Sequence, residues 1–216
     1  MGLSIKLATA AIAFAAAGSA FASPVAAHYT SFGTLSAANF GGSGIPNNAV
    51  AITTIGSNVT LGLSATPRYS SPALTNNGAG EFYAQAGAYG PGDNLALWNY
   101  SYYTSAPLLG GYSFKLLVDL DAAAGNDIST YTDMSWLLLG GRQNSQNLGF
   151  STGYAQFDPT ADGEYGIVLA AYRNGAEVGR SAILVDVGND VPEPASLALV
   201  GAALAGAAFS ARRRKS

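Results

Sequence analysis

The sequence predicts an all-β protein, an antiparallel β-sandwich with an apolar helix on either side of it. Three observations predict it. Apolar residues alternate with period two in the second half of the chain, the spacing that buries one face of a strand. Gly, Asn and Pro interrupt the apolar runs at short intervals, with no convincing amphipathic helix between them. The composition agrees, with 12 Tyr, 27 Gly and only 11% charged residues.

The N-terminal element is a targeting segment. Lys6 precedes an apolar run over 7–17, and Ala20-Phe21-Ala22 follows as a small-x-small site. Basic residue, apolar run and cleavage site in that order predict a signal peptide over 1–22, cut after Ala22. Its expected partners are the Sec translocon and signal peptidase.

One domain over 23–190 follows. Its first half holds short candidate strands at 49–55 and 59–63. Gly41-Gly42-Ser43-Gly44, Asn76-Asn77-Gly78 and Pro67, Pro72, Pro91 and Pro107 break the chain before and after them. A strand over 95–103 puts Leu95, Leu97, Asn99, Ser101 and Tyr103 on one face. Ala96, Trp98, Tyr100 and Tyr102 fall on the other.

The second half is more regular. Over 112–120, Tyr112, Phe114, Leu116, Val118 and Leu120 form one apolar face, and Ser113, Lys115, Leu117 and Asp119 the other. A short apolar run spans 134–139 and ends at Gly140-Gly141. Strands are predicted over 165–172 and 178–187, joined by Asn174-Gly175, two residues that tolerate the positive φ of a tight hairpin. Gly163-Glu164-Tyr165 resembles part of the tyrosine corner of immunoglobulin-like folds, though Ala161 stands where an Asp is usual and there is no Cys pair. The expected sandwich is therefore Ig-like or jelly-roll-like.

The last element is residues 191–216. Pro192-Glu193-Pro194 ends regular structure, because both prolines lack an amide donor and fix φ. The uncharged run 195–211 would reach about 25 Å as a helix, the short end of a bilayer crossing. Arg212, Arg213, Arg214 and Lys215 then act as a stop-transfer cluster on the cytoplasmic side. This order of motif, span and basic end resembles the PEP-CTERM sorting tail of Gram-negative bacteria. The resemblance implies recognition of Pro192, Glu193 and Pro194 by an exosortase, a membrane transpeptidase-like enzyme, and cleavage near them. The precursor would be anchored in the inner membrane and face the periplasm. The mature protein would then reach the cell surface or an exopolysaccharide matrix. Within 112–187, Val118-Asp119-Leu120-Asp121, Asn147-Leu148-Gly149-Phe150, Phe157-Asp158-Pro159 and Gly163-Glu164-Tyr165 resemble a segment common in PEP-CTERM cargo, which brings no established activity.

Composition narrows the function classes. Half of the ten Lys and Arg lie in the two ends. The middle keeps Arg68, Lys115, Arg142, Arg173 and Arg180 against twelve carboxylates, a net charge of −7. That argues against a nucleic-acid partner, which needs a basic face. There is no Cys, hence no thiol nucleophile or thiolate metal site. The single histidine, His28, gives a Ser-His-Asp or multi-histidine site almost nothing to work with. No cofactor is implied.

Three constellations remain as candidate chemistry. Asp119, Asp121 and Asp127 offer oxygen ligands for calcium, but Ala123 and Ala124 stand where an EF-hand needs a ligand and a Gly, and a solvated strand end explains them as well. Asp158, Asp162 and Glu164 invite a glycosidase pair, but Pro159 and Gly163 make the segment a turn, where Asp is routine. Trp98, Tyr100 and Tyr102 share a strand face that either packs a core or stacks on sugar rings. The expected role is non-enzymatic, a structural or interaction protein of the surface or matrix. The alternative is a polysaccharide-binding module using those aromatics, and an exported hydrolase is disfavoured.

Overall fold

The computed structural model describes residues 24–69, 71–108, 110–150 and 157–188. Among the described residues eleven strands form in chain order: β1 (Ser31–Gly33), β2 (Val50–Ile55), β3 (Val59–Pro67), β4 (Thr75–Asn76), β5 (Glu81–Ala84), β6 (Trp98–Ser105), β7 (Tyr112–Val118), β8 (Thr132–Asp133), β9 (Gln143–Gln146), β10 (Gly163–Arg173) and β11 (Ala176–Val187). They make two sheets. One has five strands in the order β1-β2-β3-β6-β9, and the other six in the order β4-β5-β11-β10-β7-β8.

The sheets pack face to face, each contributing one apolar face to a shared core. Leu61, Leu63, Trp98, Tyr100 and Tyr102 come from the five-stranded sheet. Leu116, Val118, Ile167, Leu169, Ile183 and Val185 come from the six-stranded one. Side chains also tie sheet to sheet directly. The Ser181 hydroxyl donates to the Ala51 carbonyl (2.7 Å), and the Thr53 hydroxyl to the Arg180 carbonyl (2.8 Å).

The strongest sequence signals become central strands. On β7, Leu116 and Val118 are buried, and Tyr112 and Phe114 pack against the same core, while Lys115 is exposed. The strand stops at Val118. Leu120 still reaches the core from the turn that follows. The β10–β11 hairpin turns at Asn174 (φ 54°) and Gly175 (φ 78°), the positive φ pair that a twisted two-residue turn requires.

One expectation changes. The sandwich is not wholly antiparallel, because β5 pairs with β11 in parallel. β5 and β11 are not joined by a hairpin, since β6 to β10 lie between them in the chain, and a long connection of that kind permits a parallel pair. The apolar run at 134–139 is mostly a 3-10 segment, Ser135–Gly140. Met134 is buried before it, and Trp136 and Leu139 are exposed.

The outer faces are also covered, which explains why strict alternation fails in places. Ala38 and Phe40 pack with Val50 and Tyr103 on the outside of the five-stranded sheet. Tyr131 packs with Val168 and Ala182 on the outside of the other. Among the described residues no helix is long and apolar enough to cross a membrane. The expected signal helix over 1–22 and the expected span over 195–211 lie outside the described residues.

Candidate functional site

Trp98, Tyr100 and Tyr102 are not a sugar-stacking row. All three are at most 1% exposed and face the other sheet. The Trp98 and Tyr165 rings meet at 6.0 Å between centroids, and Phe157 meets Tyr165 edge-on at 5.7 Å. The Tyr102 hydroxyl donates to the Leu137 carbonyl at 2.9 Å. Period two located the apolar face correctly, and burial decides its use.

Asp119, Asp121 and Asp127 do not converge on a common point. Asp119 is buried at 3% exposure and accepts from the Asp121 amide (3.1 Å) and the Asn126 side chain (2.9 Å). Burial pushes its carboxyl above the usual range, against those hydrogen bonds. Asp121 accepts from the Ala123 amide, and Asp127 caps the short 3-10 turn Ile128–Thr130 by accepting from Ser129. Each carboxylate organises its own turn. Among the described residues no group of three His, Asp or Glu is arranged to hold a metal.

Asp158 organises its own turn, and Glu164 ties two segments together. Asp158 accepts from the Thr160 amide and hydroxyl, and Glu164 accepts from the Gly125 amide. His28 is held more firmly than its place near the predicted new N-terminus implies. Its amide donates to Ala182 (3.0 Å) and its carbonyl accepts from Ala182 (2.7 Å), fixing the segment along β11. A cleft of about 760 Å³ lies beside it, lined by Asp127, Glu177 and Arg180 among others. Glu177 and Arg180 neutralise each other there in a two-bond ion pair (2.6 and 2.8 Å).

A second cleft, of about 480 Å³, holds a charge with no such partner. Arg68 follows the last residue of β3 and is 8% exposed. Its amide donates to the Leu97 carbonyl, which fixes the chain as it leaves the sheet. The guanidinium lies among three rings, 4.9 Å from Tyr69, 4.9 Å from Tyr89 and 5.0 Å from Phe150. Its Nε is enclosed without a hydrogen-bond acceptor, and among the described residues no carboxylate pairs with it. Asn99, Asn144 and Ser145 line the same cleft, as does the Gly-rich loop 41–44. Tyr69, at its rim, is 78% exposed.

Sequence patterns miss this cleft because its parts come from five separate segments and share no period. The adjacent pair Arg68-Tyr69, a cation and an aromatic directly after a strand-ending Pro, was the available signal.

The residues of the sorting tail and of the signal cleavage site, Ala20 and Ala22, lie outside the described residues. The folded chain ends its last strand at Val187, and the family model for the PEP-CTERM protein-sorting motif matches residues 190–215, directly after it. The chain carries a PEP-CTERM sorting motif. Comparison with curated proteins and with solved structures finds no match. The PEP-CTERM motif covers Pro192, Glu193 and Pro194 and all four basic residues of the end, Arg212, Arg213, Arg214 and Lys215. It implies export, a membrane-anchored precursor, processing by an exosortase and delivery to the cell surface.

Proposed function

We propose that the protein is a non-enzymatic component of the cell surface or extracellular matrix, and that its β-sandwich serves as the delivered interaction module. The observation that carries this reading is the order of parts. A closed two-sheet domain ends at Val187, and the PEP-CTERM motif begins at residue 190. That leaves almost no linker, so the domain itself is the cargo. The signal peptide over 1–22 starts export. The run 195–211 and the Arg212–Lys215 cluster hold the precursor in the inner membrane with the domain on the periplasmic side.

A structural role is supported by how the polar groups are used. Asp119, Asp127, Asp133 and Asp158 each bond a nearby amide or hydroxyl in their own turn, which leaves them as organisers of loops.

The test is the mass of the surface-exposed protein in a host with an exosortase. The expected species starts at Ser23 and lacks the residues after the motif. Peptides from 195–211 still joined to the folded domain at steady state would mean a permanent anchor and would sink the reading.

A further inference from the structure

The Arg68 cleft combines features that core packing alone does not require. A buried cation is costly unless an anion or a set of acceptors compensates it. The three rings supply part of that compensation through their faces. They accept no directed hydrogen bond at the plane of the guanidinium, where a carboxylate would bind in a two-bond fork.

The backbone around the cleft is also unusual. Phe40 and Tyr69 both line it, and both hold left-handed φ values, 50° and 48°. Among the described residues the only other non-glycine with positive φ is Asn174, in the hairpin turn. Bulky residues in that region are strained, and such strain persists where the surroundings hold it in place, often at ligand sites.

We propose that this cleft binds the uronic-acid units of an acidic polysaccharide. Arg68 pairs with the sugar carboxylate. Tyr69 and Phe150, already stacked on the guanidinium, offer their outer surfaces to the sugar ring. Asn99, Asn144 and Ser145 present amide and hydroxyl groups suited to sugar hydroxyls. The volume, about 480 Å³, is in the usual range for small-ligand sites. Among the residues that line the cleft Arg68 alone is charged, which matches a single carboxylate on one sugar unit, whereas a polyphosphate would need several cations.

The inference deepens the interaction role proposed above and can fail without it. Delivery is read from the mass of the surface species, and this site is read from binding.

The test is calorimetric titration of the full chain in detergent micelles with tetragalacturonate, tetramannuronate and the methyl ester of the first. At least one acid is expected to bind. Esterification, which removes the charge but keeps the sugar, should weaken tetragalacturonate binding about tenfold or more. Arg68→Met should weaken binding of the acids by a similar factor. Tyr69→Ala, at an exposed position, should weaken acid and ester alike, and it serves as the site variant if Arg68→Met does not fold. The proposal is overturned if neither acid binds at millimolar concentration. Equal affinity for acid and ester overturns it as well, as does unchanged binding by folded Arg68→Met or by Tyr69→Ala.

Discussion

Trp98 on β6 and Tyr165 on β10 join the two sheets ring to ring, 6.0 Å apart and tilted by 49°. Each is 1% exposed. This contact sits where a sugar-binding row was an alternative, and it assigns the aromatic face of β6 to cohesion. Trp98→Ala should lower stability by about 3–5 kcal/mol, the range for removing a large aromatic from a packed core. Chemical denaturation measures it. A loss below about 1 kcal/mol would mean that Trp98 is not a core residue.

The same contact gives an alkaline signature. Burial, with nearby carboxylates adding to it, pushes the Tyr165 phenol up to about 12, above its ordinary value of 10.0. The unfolded chain releases this proton first as pH rises. Tyr165 therefore contributes stability that is complete below about pH 10 and is lost as pH rises toward 12. Tyr165→Phe keeps the ring and removes the titration. Its stability should fall less steeply than wild type between those pH values. Parallel stability curves for the two proteins would show that the phenol is not shifted.

Leu116 and Lys115 are neighbours on β7 with opposite fates. Leu116 is fully buried, while Lys115 is exposed with its ammonium 5.6 Å from the Tyr172 ring. Leu116→Asp places an unpaired carboxylate in the core and should unfold the domain or nearly so. Lys115→Ser should cost less than about 1 kcal/mol, the scale of an exposed cation–π contact. Thermal melts compare them, and equal losses would mean that the strand faces are reversed.

These contrasts show what the sequence made legible. β7, β10 and β11 are long enough for a period-two pattern to declare their buried faces, and Asn174-Gly175 declares their hairpin. β4 and β8 have two residues each, β1 three, and β5 and β9 four, too few for a period to emerge. The polar sites were harder still. Asp119, Asp121 and Asp127 are close in sequence, and local spacing does not say that a carboxylate will fold back onto its own turn. The Arg68 cleft depends on residues near positions 40, 68, 99 and 145 meeting in space, which only the sheet order accomplishes.

Asn147 illustrates a role that spacing cannot reveal. Its side-chain oxygen accepts from the amides of Ala96 (2.9 Å) and Gly149 (3.0 Å). Its nitrogen lies 2.8–2.9 Å from the Ala96 and Trp98 carbonyls and the Asn99 side-chain oxygen. One amide thus closes the entry to β6 against the turn after β9. Asn147→Ala should cost at least about 1–3 kcal/mol, because buried backbone groups lose their partner. Asn147→Asp keeps the acceptor and turns a charge toward three acceptors, so it should cost at least as much at neutral pH. Part of that loss should return as acid protonates the new carboxyl, which burial and these acceptors hold above its unfolded value. Melting curves across the acid range test this, and a pH-independent difference from wild type would contradict it.

The sorting tail supplies the last prediction, because the proposed function gives its two parts separable jobs. Four cations cost too much to pull through hydrocarbon, so in the proposed function Arg212, Arg213, Arg214 and Lys215 halt the chain. The run before them is rich in Ala and Gly and only marginally hydrophobic, so it holds the precursor weakly without that halt. In the proposed function Pro192, Glu193 and Pro194 serve recognition by the exosortase. Deleting residues 212–215 should release more precursor from the membrane before processing. Replacing Pro192, Glu193 and Pro194 together with alanine should leave retention intact and produce an uncut, membrane-held form. Fractionation of cells expressing each variant, followed by intact mass, distinguishes the two. Normal processing of the triple-alanine variant would remove the motif from the cleavage step, and unchanged retention of the deletion variant would remove the cations from the halt.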